Sequence, residues 1–383
     1  MKKNILLISS QRDFSYTFYS TLKSLSDDYN FSLLSPAGSF RSFFKEKKWK
    51  RKSIFLYKNI LEINKSSLLL FFLIKPFIQI YLFFFLLLIK YKKKYNSILL
   101  LDINEKILVS PLAKFLKLDV KWLVVKNYNY KALNKKILNK YTKFARENKI
   151  ICLNKNFKDK ITNLGVPDEN ISLINPGIKY KHKKYQENIF SKIAHNESQQ
   201  IGKKFFTIGT ISDLNDKTKI EVLFSAFKNS MDIVPRMQLI IVGEGKYSPD
   251  KNPWAKWLAK KMGIETMVWF VTDTRNIKKW LDSFDVFVLS SRILNLDDFK
   301  TCLYAMDANL APLVPNGCGY DGLIENAKNG YFYDIDSSLS LSELIIKYYK
   351  NKRLSIELGK NAQIEVNNNF QITKTIEDFK KIL

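Results

Sequence analysis

The stretch FFTIGTISDLNDKTKIEVLFSAFKNSM, residues 205–231, opens a run to Tyr333 whose reading decides the fold. A short apolar strand leads into a polar turn and then into a segment of helical period. MQLIIVGEG (237–245), WFVTDTRNIKKWLDSFDVFVLSSR (269–292) and FKTCLYAMDANLAPLVPNGCGYDGLIENAKNGYFY (299–333) repeat that rhythm. The apolar runs Gln238–Val242 and Val286–Leu289 have strand length, and helix-period segments separate them. Such alternation is the pattern of a parallel sheet wrapped in helices.

The same rhythm reaches back to the start of the chain. Residues 4–9 read as a first strand, followed by SQRDFSYTF where a dinucleotide site would carry a glycine-rich turn. A helix is predicted over Phe14–Leu25 and a strand over Phe31–Leu34. The basic patch KEKKWKRK follows at 45–52. The most apolar segment is SSLLLFFLIKPFIQIYLFFFLLLIKYKKKY, residues 66–95, in which Leu68–Ile89 approaches the length of a membrane span. Lys75, Pro76 and Gln79 interrupt its first half, lysines crowd one flank only, and the strand NSILLLDI follows at once. Segment 67–92 is therefore expected to lie in the plane of a membrane surface, with Pro76 starting or kinking its helix. A buried core helix is the alternative. VKWLVVKN reads as a strand and Tyr130–Glu147 as a lysine-rich helix.

The size and composition are those of two domains. A chain of 383 residues exceeds one ordinary core, and its 46% hydrophobic and 14% aromatic content excludes bulk disorder. The net charge of +27 points to an anionic partner: acidic lipid, a phosphorylated substrate or nucleic acid. No nucleic-acid reading module is recognisable, so that class is set aside. Cys152, Cys302 and Cys318 lie far apart, and His182 and His195 sit in a polar stretch. Neither set makes a disulfide framework or a zinc site, which suits a reduced cytosolic setting and predicts no metal.

KIICLNKNFKDKITNLGVPDENISLINPGI, residues 149–178, ends in Asn175-Pro176-Gly177. Together with the order of elements from Lys204 to Tyr333, this string resembles GT-B glycosyltransferases, specifically the retaining family 4. The resemblance implies two Rossmann-like α/β domains facing a central cleft. It divides the chain into an acceptor-side domain at 1–178, a linker at 179–203 and a nucleotide-sugar-side domain at 204–365. A terminal helix at 366–383 crosses back to the first domain.

The resemblance also implies a site, and several of its charged positions are altered here. The Arg and Lys that hold the donor diphosphate in that family fall on Asp213 and Thr218, leaving Lys217 and Lys219 as replacement cations or as plain surface lysines. The family's two glutamates fall on Leu296 and Tyr304, with Asp297 and Asp298 beside the first and Phe299 at the family's aromatic position. FKTCLYAM reads as a helix start whose free N–H groups suit phosphate, with Lys300 and Thr301 there. A later family glutamate has become Gly322. Gly209, Thr210 and Glu244 complete the donor set, and Lys126 or Asn127 stands at the family's N-domain histidine. The candidate catalytic residues are thus Asp297, Asp298 and Lys126. The donor set is Gly209, Thr210, Lys217, Lys219, Glu244, Phe299, Lys300, Thr301 and Tyr304. The implied activity is transfer from a nucleotide-sugar, without a cofactor, to a lipid-linked or surface-polysaccharide acceptor, at the cytoplasmic face of an anionic membrane. The alternative is a catalytically inactive GT-B module that partners an active glycosyltransferase.

Overall fold

The computed structural model describes residues 2–53, 65–92, 94–179, 205–272, 277–291 and 295–383, with side chains of the long apolar helix described from Leu73 onward. The expected linker beyond Lys179, with His182 and His195, lies outside the described residues. The chain divides into two compact units. The first is Met1–Gly177 with Asn295–Asp297 and Thr373–Leu383, and the second is Ile178–Leu294 with Asp298–Ile372.

The first unit is a seven-stranded, wholly parallel sheet. Its strands are β1 (Lys3–Ile8), β2 (Tyr29–Leu34), β3 (Lys50–Lys52), β4 (Ser97–Leu100), β5 (Val120–Val124), β6 (Lys149–Cys152) and β7 (Ile171–Leu173), in the order β3-β2-β1-β4-β5-β6-β7. Helices α1 (Tyr16–Leu25), α2 (Ser39–Glu46), α3 (Lys65–Tyr91), α4 (Ile103–Phe115), α5 (Lys135–Ala145) and α6 (Lys155–Thr162) make the crossovers. Strand order reverses between β1 and β4, so the C-terminal ends of those two strands frame the crevice where such sheets bind ligands. The basic patch ends in β3, an edge strand whose three cations are exposed, and charge of that kind discourages edge-to-edge pairing.

Helix α3 runs through Pro76 rather than starting there. One missing N–H costs a single bond in a long helix that other contacts hold. The lysine-rich helix is shorter than expected, because Leu133 is extended and Asn134 caps α5 by accepting the Lys136 N–H at 2.9 Å.

The second unit repeats the doubly wound plan. Strands β8 (Phe206–Ile211), β9 (Met237–Val242), β10 (Val268–Val271) and β11 (Val286–Phe287) pair in the order β10-β9-β8-β11. A parallel bridge from Val288 to Leu313 continues to β12 (Leu313–Pro315) and β13 (Tyr331–Tyr333). The helices are α7 (Lys217–Met231), α8 (Trp254–Lys261), α9 (Ile277–Leu281), α10 (Leu296–Asp307), α11 (Ser338–Lys350) and α12 (Lys352–Asn369), while α13 (Ile372–Ile382) belongs to the first unit from Thr373 onward. Successive strand residues enter opposite cores. Leu239, Ile241, Val286 and Val288 pack with α7 and α11, whereas Ile240, Val242, Phe287 and Leu289 pack with α10 and α12. Covering both faces is why these strands read as continuous apolar runs. The α/β class with two Rossmann-like units is thus the observed fold.

Candidate functional site

In the second unit the order reverses between β8 and β11, so the loop after β8 lies at the switch point. That loop is tied to the one after β9. Lys246 N donates to Asn215 Oδ1 at 2.8 Å and Tyr247 N to Leu214 O at 3.0 Å. A Cβ on Gly243 would stand 1.9 Å from Ser212 O, and one on Gly245 1.8 Å from Asp213 O. Only glycine permits backbones to approach this closely. Leu214, at φ 40°, completes the turn.

The candidate cations differ in their surroundings. Lys217 is exposed at the first turn of α7, its ammonium 4.7 Å from the Trp254 ring centroid and 5.4 Å from that of Tyr247. Two aromatic faces hold the charge near the switch point without neutralising it. Lys219 lies 3.9 Å from Asp213, which also accepts from Asn215 Nδ2 at 3.2 Å. The acid at the family's Arg position therefore offsets one of the two replacement cations. Asp216 caps α7 through the Thr218 N–H at 2.9 Å. Glu244 is half exposed and pairs with Lys251 at 3.1 Å.

Other candidates have packing roles. A Cβ on Gly209 would meet the Phe284 ring at 2.1 Å, so this glycine admits an aromatic against the strand. Thr210 is buried, and its hydroxyl has no partner among the described residues. Helix α10 begins at Leu296, not at FKTC, because Asn295 Oδ1 accepts the Asp297 N–H at 2.9 Å. Phe299, Lys300 and Thr301 consequently sit past the terminal turn rather than offering its free N–H groups. Phe299 is 2% exposed and packs edge-on against Phe370. Lys300 is 8% exposed, with its ammonium 5.8 Å from the Tyr304 ring. Half-buried Asp298 lies close enough to raise the Tyr320 hydroxyl, whose first cause of elevation is burial.

Asp297 belongs to the first unit and serves another purpose. Its carboxylate accepts the N–H groups of Tyr16 at 3.2 Å and Thr17 at 2.7 Å, at the N-terminus of α1. A carboxylate there complements the helix dipole. Asp297, one of the candidate catalytic residues, is thus engaged at the N-terminus of α1.

The sequence reading missed the group at the first unit's switch point. Ser9 and Ser10 follow β1, and Asp102 follows β4 and caps α4. Asp102 accepts the Ser9 hydroxyl at 3.0 Å and the Tyr128 hydroxyl. Glu105 accepts Asp102 N at 2.7 Å and Ser10 N at 3.2 Å. Lys106 donates to Leu123 O at 3.2 Å beside the Trp122 and Tyr128 rings. Asp102, Glu105 and Lys106 are wholly buried. Burial, and then the neighbouring Asp102, push Glu105 up to about 8, and burial brings Lys106 down to about 8. Asp102 is itself raised, first by burial. Burial thus favours the neutral forms of both carboxyls and of the Lys106 amine. Lys126, at the end of β5, donates to Gln11 and lies 5.3 Å from the Phe14 ring. The available signal was D-x-x-E after an apolar strand, the pattern of a capping box, and both of its bonds form here.

Among the described residues no cluster of three or more metal-ligating side chains occurs. Residues 191–365 match the family model of glycosyl transferases group 1. No curated protein sequence matches the chain. Solved structures alike over the whole length include the HepE protein of Anabaena in complex with UDP, at TM-score 0.75 and 14% identity, covering 99% of each chain. A glycosyltransferase from Rickettsia africae is similar at TM-score 0.77 and 13% identity, covering 100% of this chain and 97% of that one. The lipopolysaccharide outer core galactosyltransferase WaaB is similar at TM-score 0.67 and 13% identity, covering 99% of this chain and 98% of that one. The fold is GT-B, with its second unit in the region that matches glycosyl transferases group 1.

Proposed function

We propose that this protein is a glycosyltransferase that moves a sugar from a nucleotide-sugar donor to a lipid-linked or surface-polysaccharide acceptor at the cytoplasmic face of a membrane. In that reaction the bond between the anomeric carbon and the diphosphate oxygen breaks. The acceptor oxygen bonds to that carbon and gives up its proton, and the nucleoside diphosphate leaves. By resemblance to family 4, the anomeric configuration is retained.

One observation carries this reading. Lys217 stands at the second unit's switch point, exposed and held over Trp254 and Tyr247, within the residues that match the glycosyl transferases group 1 model. A leaving diphosphate needs a cation, and a fixed one in a water-poor site lowers the barrier. HepE, alike in fold, has been solved with UDP, UDP and glucose, and UDP-glucose, which makes uridine nucleotides the first donors to try.

A second reading is favoured by Asp213. Its pairing with Lys219 removes cationic charge where the family has an Arg, and Lys300 is buried. Both suit a module that partners an active transferase without catalysing transfer. Calorimetric titration with a panel of nucleotide-sugars, followed by turnover assays on the donor that binds, separates the two. Binding and turnover of one donor support the enzyme. Absence of binding across the panel supports the partner.

A further inference from the structure

Helix α3 has two apolar faces, and the fold uses only one. Ile78, Leu82, Leu86 and Ile89 are buried in the same core as β1, β4 and β5. Leu73, Phe77, Ile80, Phe84, Leu88 and Tyr91 recur at intervals of three and four on the opposite side, and all are exposed, Phe77 by 73% and Tyr91 by 86%. An ordinary surface helix turns its polar residues outward, whereas this one turns out aromatic and aliphatic groups. The stripe continues onto α4. Phe115 is 76% exposed, and its ring lies 6.1 Å from that of Phe83. Large side chains at this exposure leave roughly 1,000 Å² of apolar surface, beyond the few hundred Å² found on monomeric proteins.

Length and composition would let this helix cross a bilayer. Its packed face argues otherwise, since a helix built into the core beneath a parallel sheet cannot also be surrounded by lipid. The remaining geometry is a helix lying flat with one side in protein and the other free. Lys90, Lys92 and Lys94 at its C-terminal end, with Lys117 just after α4, are exposed around this face. An apolar stripe bordered by ammonium groups complements acyl chains beneath anionic headgroups. A second copy of the chain would instead bring these lysines together in repulsion, in a protein already at +27.

We propose that the outward face of α3, with Phe115, is an in-plane docking surface for an anionic lipid bilayer. The proposal deepens the reading of a membrane-side transferase, and it fixes the residues that enter the interface. Phe77, Ile80, Phe84, Leu88 and Phe115 sit among the acyl chains, while Lys90, Lys92, Lys94 and Lys117 meet the headgroups.

Flotation of the purified full chain with vesicles tests it. Vesicles of phosphatidylcholine alone are compared with vesicles that also contain phosphatidylglycerol, at low and high salt. The wild type is expected to float with the anionic vesicles. The double variant Phe77→Asp with Phe84→Asp should lose at least about tenfold in partitioning, because charge replaces apolar groups in the interface. The double variant Lys90→Glu with Lys92→Glu should lose the anionic preference while keeping the fold. If the aspartate variant loses its circular-dichroism signal, Phe84→Ala with Leu88→Ala carries the same test. Equal flotation of wild type and apolar-face variants overturns the proposal. So does a dimer, seen by sedimentation velocity without lipid, that these substitutions abolish. Turnover of a nucleotide-sugar with a water-soluble acceptor is measured alongside. Failure of flotation with turnover intact rejects the docking face alone.

Discussion

Replacing Glu105 with Gln separates the effect of a buried proton from that of a buried side chain. Glu105 Oε1 accepts the backbone N–H groups of Asp102 at 2.7 Å and Ser10 at 3.3 Å inside the first unit, and a Gln Oε1 can accept both without carrying charge. Asp102 and Tyr128 face Glu105 from β4 and the loop after β5, Lys106 shares its helix, and Lys126 faces Asp102. Folding raises the Glu105 carboxyl from 4.5 to about 8. Its contribution is therefore fully present below about pH 4.5 and lost as pH rises through about 8. The gap between 4.5 and about 8, at about 1.36 kcal/mol per pH unit, bounds the effect at about 5 kcal/mol. Local relaxation and water entry bring the expectation to roughly 2–4 kcal/mol. A chain of two units unfolds in more than one step, so hydrogen exchange of the slow amides in β4 and β5 is the suitable readout. Compared at equal pH, Glu105→Gln should gain protection over wild type as pH climbs from 5 to about 8, and the gain should then level off. Lys106→Met should respond in the opposite window. Lys106 is lowered from 10.5 to about 8, so its contribution is present above 10.5 and lost as pH falls through about 8. A protection difference between Glu105→Gln and wild type that stays constant from pH 5 to 8 would refute the reasoning.

Further outcomes follow from the packing of the candidate site. Asp297→Asn should lower the stability of the first unit by about 1 kcal/mol, as loss of a charged helix cap does, while leaving donor affinity unchanged in calorimetry. A loss of affinity would show that Asp297 acts on the donor as well as on α1. Gly209→Ala should cost about 1–3 kcal/mol or more in thermal unfolding, because its methyl meets the Phe284 ring. Asp213→Asn should strengthen donor binding severalfold by freeing Lys219, read by the same titration. Unchanged affinity would show that Lys219 does not reach the ligand.

The fold was readable because its strands are short, continuous apolar runs buried on both faces. Val286–Leu289 is the clear case, with its residues alternating between two cores. Helix ends were less readable. FKTCLYAM has the pattern of a helix start, but Asn295 caps the helix a turn earlier through a bond that aligning residues by resemblance did not reveal. The polar cluster of the first unit was hidden for a different reason. DINEK reads locally as a solvated helix start, and only the parallel pairing of β1 with β4 brings Ser9 and Ser10 onto Asp102 and Glu105. Asp297 is harder still, since its partners lie near the beginning of the chain and no local pattern announces them. Asp213 opposite Lys219 depends on the left-handed turn at Leu214, which is not a glycine and gave no signal.

The most direct test of the central claim is donor binding and turnover with Lys217 intact and with Lys217→Ala. Lys217 is exposed, so its removal should leave the fold unchanged by circular dichroism. The account predicts that wild-type protein binds one nucleotide-sugar of the panel and turns it over. Lys217→Ala should slow that turnover on the order of a hundredfold, as loss of one fixed charge at a leaving group does. Equal turnover by the two proteins would contradict the assignment of Lys217, and a wild type that binds no donor would contradict the transferase reading itself.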